Sequence, residues 1–80
     1  MKILSQKQLD KLIEKNSDRS LDCFVLLNYS LRSSKSITYD GNNYYIYNEI
    51  DDTEETIPHD KLMDSSPIGE AIKKGTLYTY

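Results

Sequence analysis

Residues Ser36 to Glu49 read SITYDGNNYYIYNE. Two short runs of β-branched and aromatic residues flank Asp40-Gly41-Asn42-Asn43, which is hairpin-turn chemistry. Gly41 and the asparagines accept the positive φ that tight turns need. A four-residue loop over Asp40–Asn43 pairs Tyr39 with Tyr44 and Ile37 with Ile46. An Asp40-Gly41 turn pairs Ile37 with Tyr44 and Tyr39 with Asn42 instead. The two registers differ by an even number of residues, so both put Ile37, Tyr39, Tyr44 and Ile46 on one face. Ser36, Thr38, Tyr45 and Tyr47 share the other. Two tyrosines thus fall on the side away from the expected core, to be met by a helix, a partner or water.

A hairpin needs further elements to bury its apolar face. Upstream, Ser5 and Gln8 have capping-box spacing, with Leu4 and Leu9 placed as a hydrophobic staple. Leu9, Leu12 and Ile13 make one narrow apolar stripe, so a surface helix is expected from there to about Asn16. Asp22 to Leu31 holds the most apolar run, Cys23-Phe24-Val25-Leu26-Leu27. Phe24 and Val25 favour a strand, expected over about 22–28 and covered on both faces for part of its length, although Leu26 and Leu27 suit a helix equally. Asn28 to Lys35 then serves as a connector. The Asn28-Tyr29-Ser30 glycosylation triplet, with no secretion signal, is a chance match.

Downstream, Ile50 to Thr56 (IDDTEET) carries too much like charge for a regular strand and reads as an exposed acidic loop. Pro58 suits the first turn of a short helix with Leu62 and Met63 inward. A last helix has Ser66 as N-cap, Pro67 at its first position, Lys73 and Lys74 in its last turn, and Gly75 just past its end. Thr76 to Tyr80 alternates and suits a terminal edge strand. The expected fold is α+β: an N-terminal helix, a three-stranded antiparallel meander (about 22–28, 36–40 and 44–49), and two short C-terminal helices on one face. Eighty residues make one domain, with little room for a deep cleft.

Charge is unevenly spread. Up to Lys35, seven basic residues face four acidic ones, whereas from Ser36 to Asp64 eight acidic residues face Lys61 alone. A basic nucleic-acid binder would show a pervasive positive footprint, so direct nucleic-acid binding is not expected. The lone Cys23 forms no internal disulfide and suits a reducing compartment. The N-terminus turns polar after a few residues, and no apolar run reaches the length of a membrane span. A cytoplasmic protein is expected.

Three stretches are candidate binding sites. Arg32-Ser33-Ser34-Lys35 sets two cations around two hydroxyls in an expected turn, where a phosphate could bind; a solvated connector is the simpler alternative. Glu49, Asp51, Asp52, Glu54 and Glu55 could hold a divalent cation, without EF-hand spacing, or imitate the phosphates of nucleic acid toward a nucleic-acid-binding protein. A merely solubilising loop is the plainer reading. Tyr45 and Tyr47, with Thr38 and Ser36 beside them, could form a protein-binding patch. Cys23 and His59 are the single thiol and the single imidazole, without a catalytic signature or a zinc ligand set. No enzyme, cofactor or metal is expected.

The runs LNYSLRSSKSITYDGNNYYIYNEIDD and GEAIKKGTLYTY resemble small uncharacterised proteins of low-GC Gram-positive bacteria and their phages or genomic islands. Leu31-Arg32-Ser33-Ser34-Lys35 and Ala71-Ile72-Lys73-Lys74-Gly75 are the most distinctive pieces, and the likeness covers about residues 24–80. It implies an accessory, non-housekeeping, cytoplasmic protein and transfers no functional residue. Together these features favour a non-enzymatic protein-binding or regulatory module, ahead of an acidic inhibitor and of a phosphate binder.

Overall fold

In the computed structural model, which describes residues 1–80, the hairpin adopts the longer-loop register, with Tyr39 opposite Tyr44 and Ile37 opposite Ile46. Asp40 Oδ1 accepts the N–H groups of Asn42 and Asn43, both at 2.8 Å. Gly41 takes φ +99°, a conformation that costs glycine nothing. These bonds, the one from Asn43 foremost, pull the Asp40 carboxyl down to about 2.

The hairpin sits within a larger sheet than the three-stranded meander. Strands β1 (Ser20–Leu26), β2 (Arg32–Tyr39), β3 (Asn43–Asn48), β4 (Thr53–Pro58) and β5 (Leu77–Thr79) form one antiparallel sheet in the order β4-β3-β2-β1-β5. Lys2 pairs with Tyr78 beyond β5, where Ile3 donates to Leu77 O and Thr79 donates to Met1 O, each at 2.8 Å. The acidic segment is a turn leading into β4, not a loop throughout, because an edge strand pairs on one side only and leaves its charges in water. Glu54 and Glu55 point to opposite faces, so their like charges do not meet. The Arg32–Lys35 stretch is the start of β2, not a turn; the connector shrinks to Leu27–Leu31.

All the helices lie on the Ile37 face. Helix α1 (Gln6–Glu14) is capped by Ser5, whose side chain accepts the Gln8 N–H at 3.1 Å. Gln8 Oε1 reaches back to the Leu4 N–H at 2.7 Å, one residue earlier than a capping box requires. The expected staple does not form. Leu4 is exposed and Ile3 is the buried residue, because the pairing of Met1–Ile3 beside β5 turns Ile3 inward. Pro58 ends β4 and precedes a 3₁₀ turn (His59–Lys61) and the short helix α2 (Leu62–Ser65), with Leu62 buried and Met63 half-buried. Helix α3 (Pro67–Lys74) follows. Ser66 links the two: its hydroxyl donates to Leu62 O at 2.7 Å and accepts the Gly69 N–H at 3.0 Å. Gly75 (φ +73°) closes α3, with its N–H on Ile72 O and that of Thr76 on Ala71 O, the bond pair of a Schellman motif.

The core joins Leu9 and Ile13 of α1, Leu62, and Ile68, Ala71 and Ile72 of α3 to Leu21, Cys23, Ile37, Tyr44, Ile46 and Leu77 of the sheet. Gly69 has no room for a side chain, since an added Cβ would collide with the Leu62 carbonyl oxygen.

Candidate functional site

With every helix on the Ile37 face, the opposite face of the sheet is open. Pairing places Thr56, Tyr45, Thr38 and Ser20 across it in one row, and Glu54, Tyr47, Ser36 and Asp22 in the next. A third row runs Ser34, Phe24, Tyr78 and Lys2. Aromatic side chains therefore form two banks, one on β3 and one on β1 and β5, with the hydroxyls of Ser34, Ser36 and Thr38 between them. The banks stand two strand spacings, roughly 10 Å, apart.

Tyr45 and Tyr47 meet no helix. The Tyr45 hydroxyl donates to Asp40 Oδ2 at 2.7 Å, and that of Tyr47 donates to Asp52 Oδ1 at 2.5 Å. Both acceptors sit in turns that bound β3, so the turns hold the rings in place. The carboxylates push both phenols above their ordinary range. Tyr47 remains 37% exposed.

The second bank centres on Phe24, which is buried although it faces away from the core. Tyr78 stacks on it at 5.5 Å, Tyr80 leans over it at 5.0 Å, and the Arg32 guanidinium lies 4.6 Å from its ring centre. Tyr80 also reaches the Ser34 hydroxyl at 3.1 Å. Sequence reading missed this bank. The alternation Phe24/Leu26 and Tyr78/Tyr80 was visible, but the pairing of β5 with β1 that unites them was not.

The Arg32–Lys35 quartet does not converge. Arg32 and Ser34 face the open side, whereas Ser33 and Lys35 face the helix side, where the Lys35 ammonium donates to Asn48 Oδ1. Glu49, Asp51, Asp52, Glu54 and Glu55 are all exposed and line one end and edge of the sheet. Glu54 joins the open face beside Tyr47, and Asp52 holds the Tyr47 hydroxyl.

A second group was also invisible in sequence, because its members lie far apart in the chain. Asp10 accepts the Tyr44 hydroxyl on one oxygen and contacts His59 Nε2 at 2.9 Å with the other. Gln6 Nε2 donates to Tyr44 Oη at 3.1 Å and to His59 O at 2.8 Å. Burial, then Asp10, drives the Tyr44 phenol well above its ordinary range. The Tyr44 and His59 rings stack at 5.4 Å. A carboxylate oriented on an imidazole is acid–base furniture, but none of the molecule's concavities is lined by Asp10, Tyr44 or His59. The group clasps α1 to the end of β4. Cys23 is buried on β1, and burial pushes its thiol up to about 12. Two strands, β2 and β3, separate β1 from β4, so the thiol has no imidazole beside it.

Comparison with protein-family models, with curated proteins and with solved structures found no match. No helix of the protein is long and apolar enough to cross a membrane.

Proposed function

We propose that the protein is a small non-enzymatic binding module, accessory or regulatory in role, that docks another protein on the open face of its sheet. The observation that carries this reading is the pair Tyr45 and Tyr47, on an uncovered face, with each hydroxyl fixed by a turn aspartate. Aromatic rings held before binding lose little conformational freedom on docking, and tyrosine offers both apolar area and a polar tip. The hydroxyl lane of Ser34, Ser36 and Thr38 supplies hydrogen-bonding groups between the banks. Asp22 and Glu54 stand on the face with Arg32 and Lys2, and Asp40 and Asp52 at its margin. This balance disfavours a phosphate backbone and suits a protein surface.

Affinity capture from the source cell tests the reading. Tyr45→Ala with Tyr47→Ala should lose the partners that the native chain retains, and retention of every partner by the double variant would defeat it. The acidic edge supports a second reading, inhibition of a basic nucleic-acid-binding protein by imitation of phosphate charge. Its observation is the exposure of Glu49, Asp51, Asp52, Glu54 and Glu55 along one side. Under that reading, amide replacements at Asp51, Asp52, Glu54 and Glu55 abolish capture and added salt weakens it steeply; capture indifferent to both dismisses it.

A further inference from the structure

The β1–β2 connector projects apolar side chains at the end of the sheet farthest from the DGNN turn. Tyr29 is fully exposed, and Leu27 and Leu31 are 58% and 51% exposed. Local hydrogen bonds brace the tip. Asn28 Oδ1 accepts the N–H groups of Ser30 at 3.2 Å and Leu31 at 3.0 Å, while Leu27 donates to Leu31 O at 2.9 Å. Immediately beside it, Val25, Leu26, Leu27, Pro67, Ala71 and Thr76 line a groove of about 280 Å³. The rim of that groove carries Glu70 and Lys74, paired at 3.1 Å one helical turn apart.

We propose that this end of the molecule is a self-association surface, on which two copies pair about a two-fold axis with Tyr29 of each in the groove of the other. A symmetric contact requires one patch to be its own complement. Here a projecting ring and a hollow lined by apolar side chains adjoin, so the same rotation that seats one Tyr29 seats both. The rim points to the same occupant. Antiparallel apposition of the two α3 helices sets Glu70 of each copy against Lys74 of the other, whereas a partner of single charge sign gains at one and loses at the other. Contiguous exposed apolar groups of this kind mark interaction surfaces. A standard interface takes roughly 800 Å² from each partner, about a sixth of this chain's 4952 Å² surface. Three exposed side chains and one narrow groove supply less, so the pair belongs to the transient class. The surface is distinct from the tyrosine face of the proposed function and stands or falls separately from it.

Sedimentation equilibrium between about 10 µM and about 1 mM, the range that brackets transient pairs, is the test. The native chain should dimerise within that range. Tyr29→Asp, at a position with no folding role, should weaken dimerisation at least about tenfold, as loss of a central aromatic does. Glu70→Lys alone and Lys74→Glu alone should each weaken it several-fold, because either change sets like charges together at both rims. Mixing the two single variants should restore native affinity, since every rim contact in the mixed pair again joins opposite charges. That rescue requires α3 of one copy to face α3 of the other, because an effect within one chain persists in the mixture. A native chain that stays monomeric to about 1 mM overturns the proposal. So does a Tyr29→Asp chain of native circular dichroism that dimerises as tightly as the native chain, or a mixture no tighter than its components.

Discussion

The two faces of this sheet are built from the same strands by different means. On the helix-covered face, Ile37, Ile46, Leu21 and Leu77 are aliphatic and their fit depends on shape. On the open face the apolar surface is aromatic, and hydroxyls, a guanidinium and turn carboxylates hold its rings. The first face needs α1, α2 and α3 to exclude water. The second stabilises itself locally: Phe24 is buried by Tyr78, Tyr80 and Arg32 without help from any helix. Apolar residues on a sheet therefore do not by themselves require a covering layer, provided their polar edges find partners close at hand.

Substitutions on each side sharpen this contrast. Ile46→Ala removes a fully buried side chain and should cost about 2–5 kcal/mol in urea unfolding, because the surrounding core closes only partly around the void. An unchanged urea midpoint would show that the core relaxes freely. Gly69→Ala drives a methyl group at the Leu62 carbonyl. Separating α2 from α3 should cost about 1–3 kcal/mol by the same measurement. Tyr45→Ala with Tyr47→Ala should lower stability by less than about 2 kcal/mol in total, since exposed cross-strand pairs contribute roughly 0.2–1 kcal/mol each. A loss as large as that of Ile46→Ala would make the open face part of the core and sink the contrast.

The smallest effect is local and depends on pH. The Asp40 carboxyl is depressed to about 2 by the Asn43 amide, the Tyr45 hydroxyl and the Asn42 amide. A depressed carboxylate stabilises the folded state above its unfolded pKa, and that contribution fades as pH falls through the folded value. The turn should therefore hold at neutral pH and loosen from about pH 4 down to about pH 2. The amide resonances of Asn42 and Asn43, followed through acid titration, report it. In Asp40→Asn those shifts should be flat over the same range.

Much of the local structure was legible in the sequence. Ser5, Ser66-Pro67 and Gly75 marked helix ends, because caps act through bonds within a few residues. The DGNN turn set which residues share a face, since strand alternation survives any even change of register. Other features were illegible for a common reason. The acidic run resembled a loop because charge weighs against a buried strand, yet β4 is an edge and pairs on one side only. The phosphate-binding turn at Arg32–Lys35 dissolved because β2 extends four residues further than its β-branched core indicates, and alternation then parts the two cations.

The sequence by itself determined the helix ends, the hairpin and the grouping of Ile37, Tyr39, Tyr44 and Ile46 against Ser36, Thr38, Tyr45 and Tyr47, because each rests on contacts between near neighbours in the chain. Only the tertiary structure decided that β4 joins the sheet and that β5 pairs with β1, that Phe24, Tyr78 and Tyr80 join Tyr45 and Tyr47 on an open face, and that Asp10, Tyr44 and His59 meet. Those outcomes join residues many positions apart, and they follow from which strands pair once burial of the whole apolar surface selects one arrangement of the sheet.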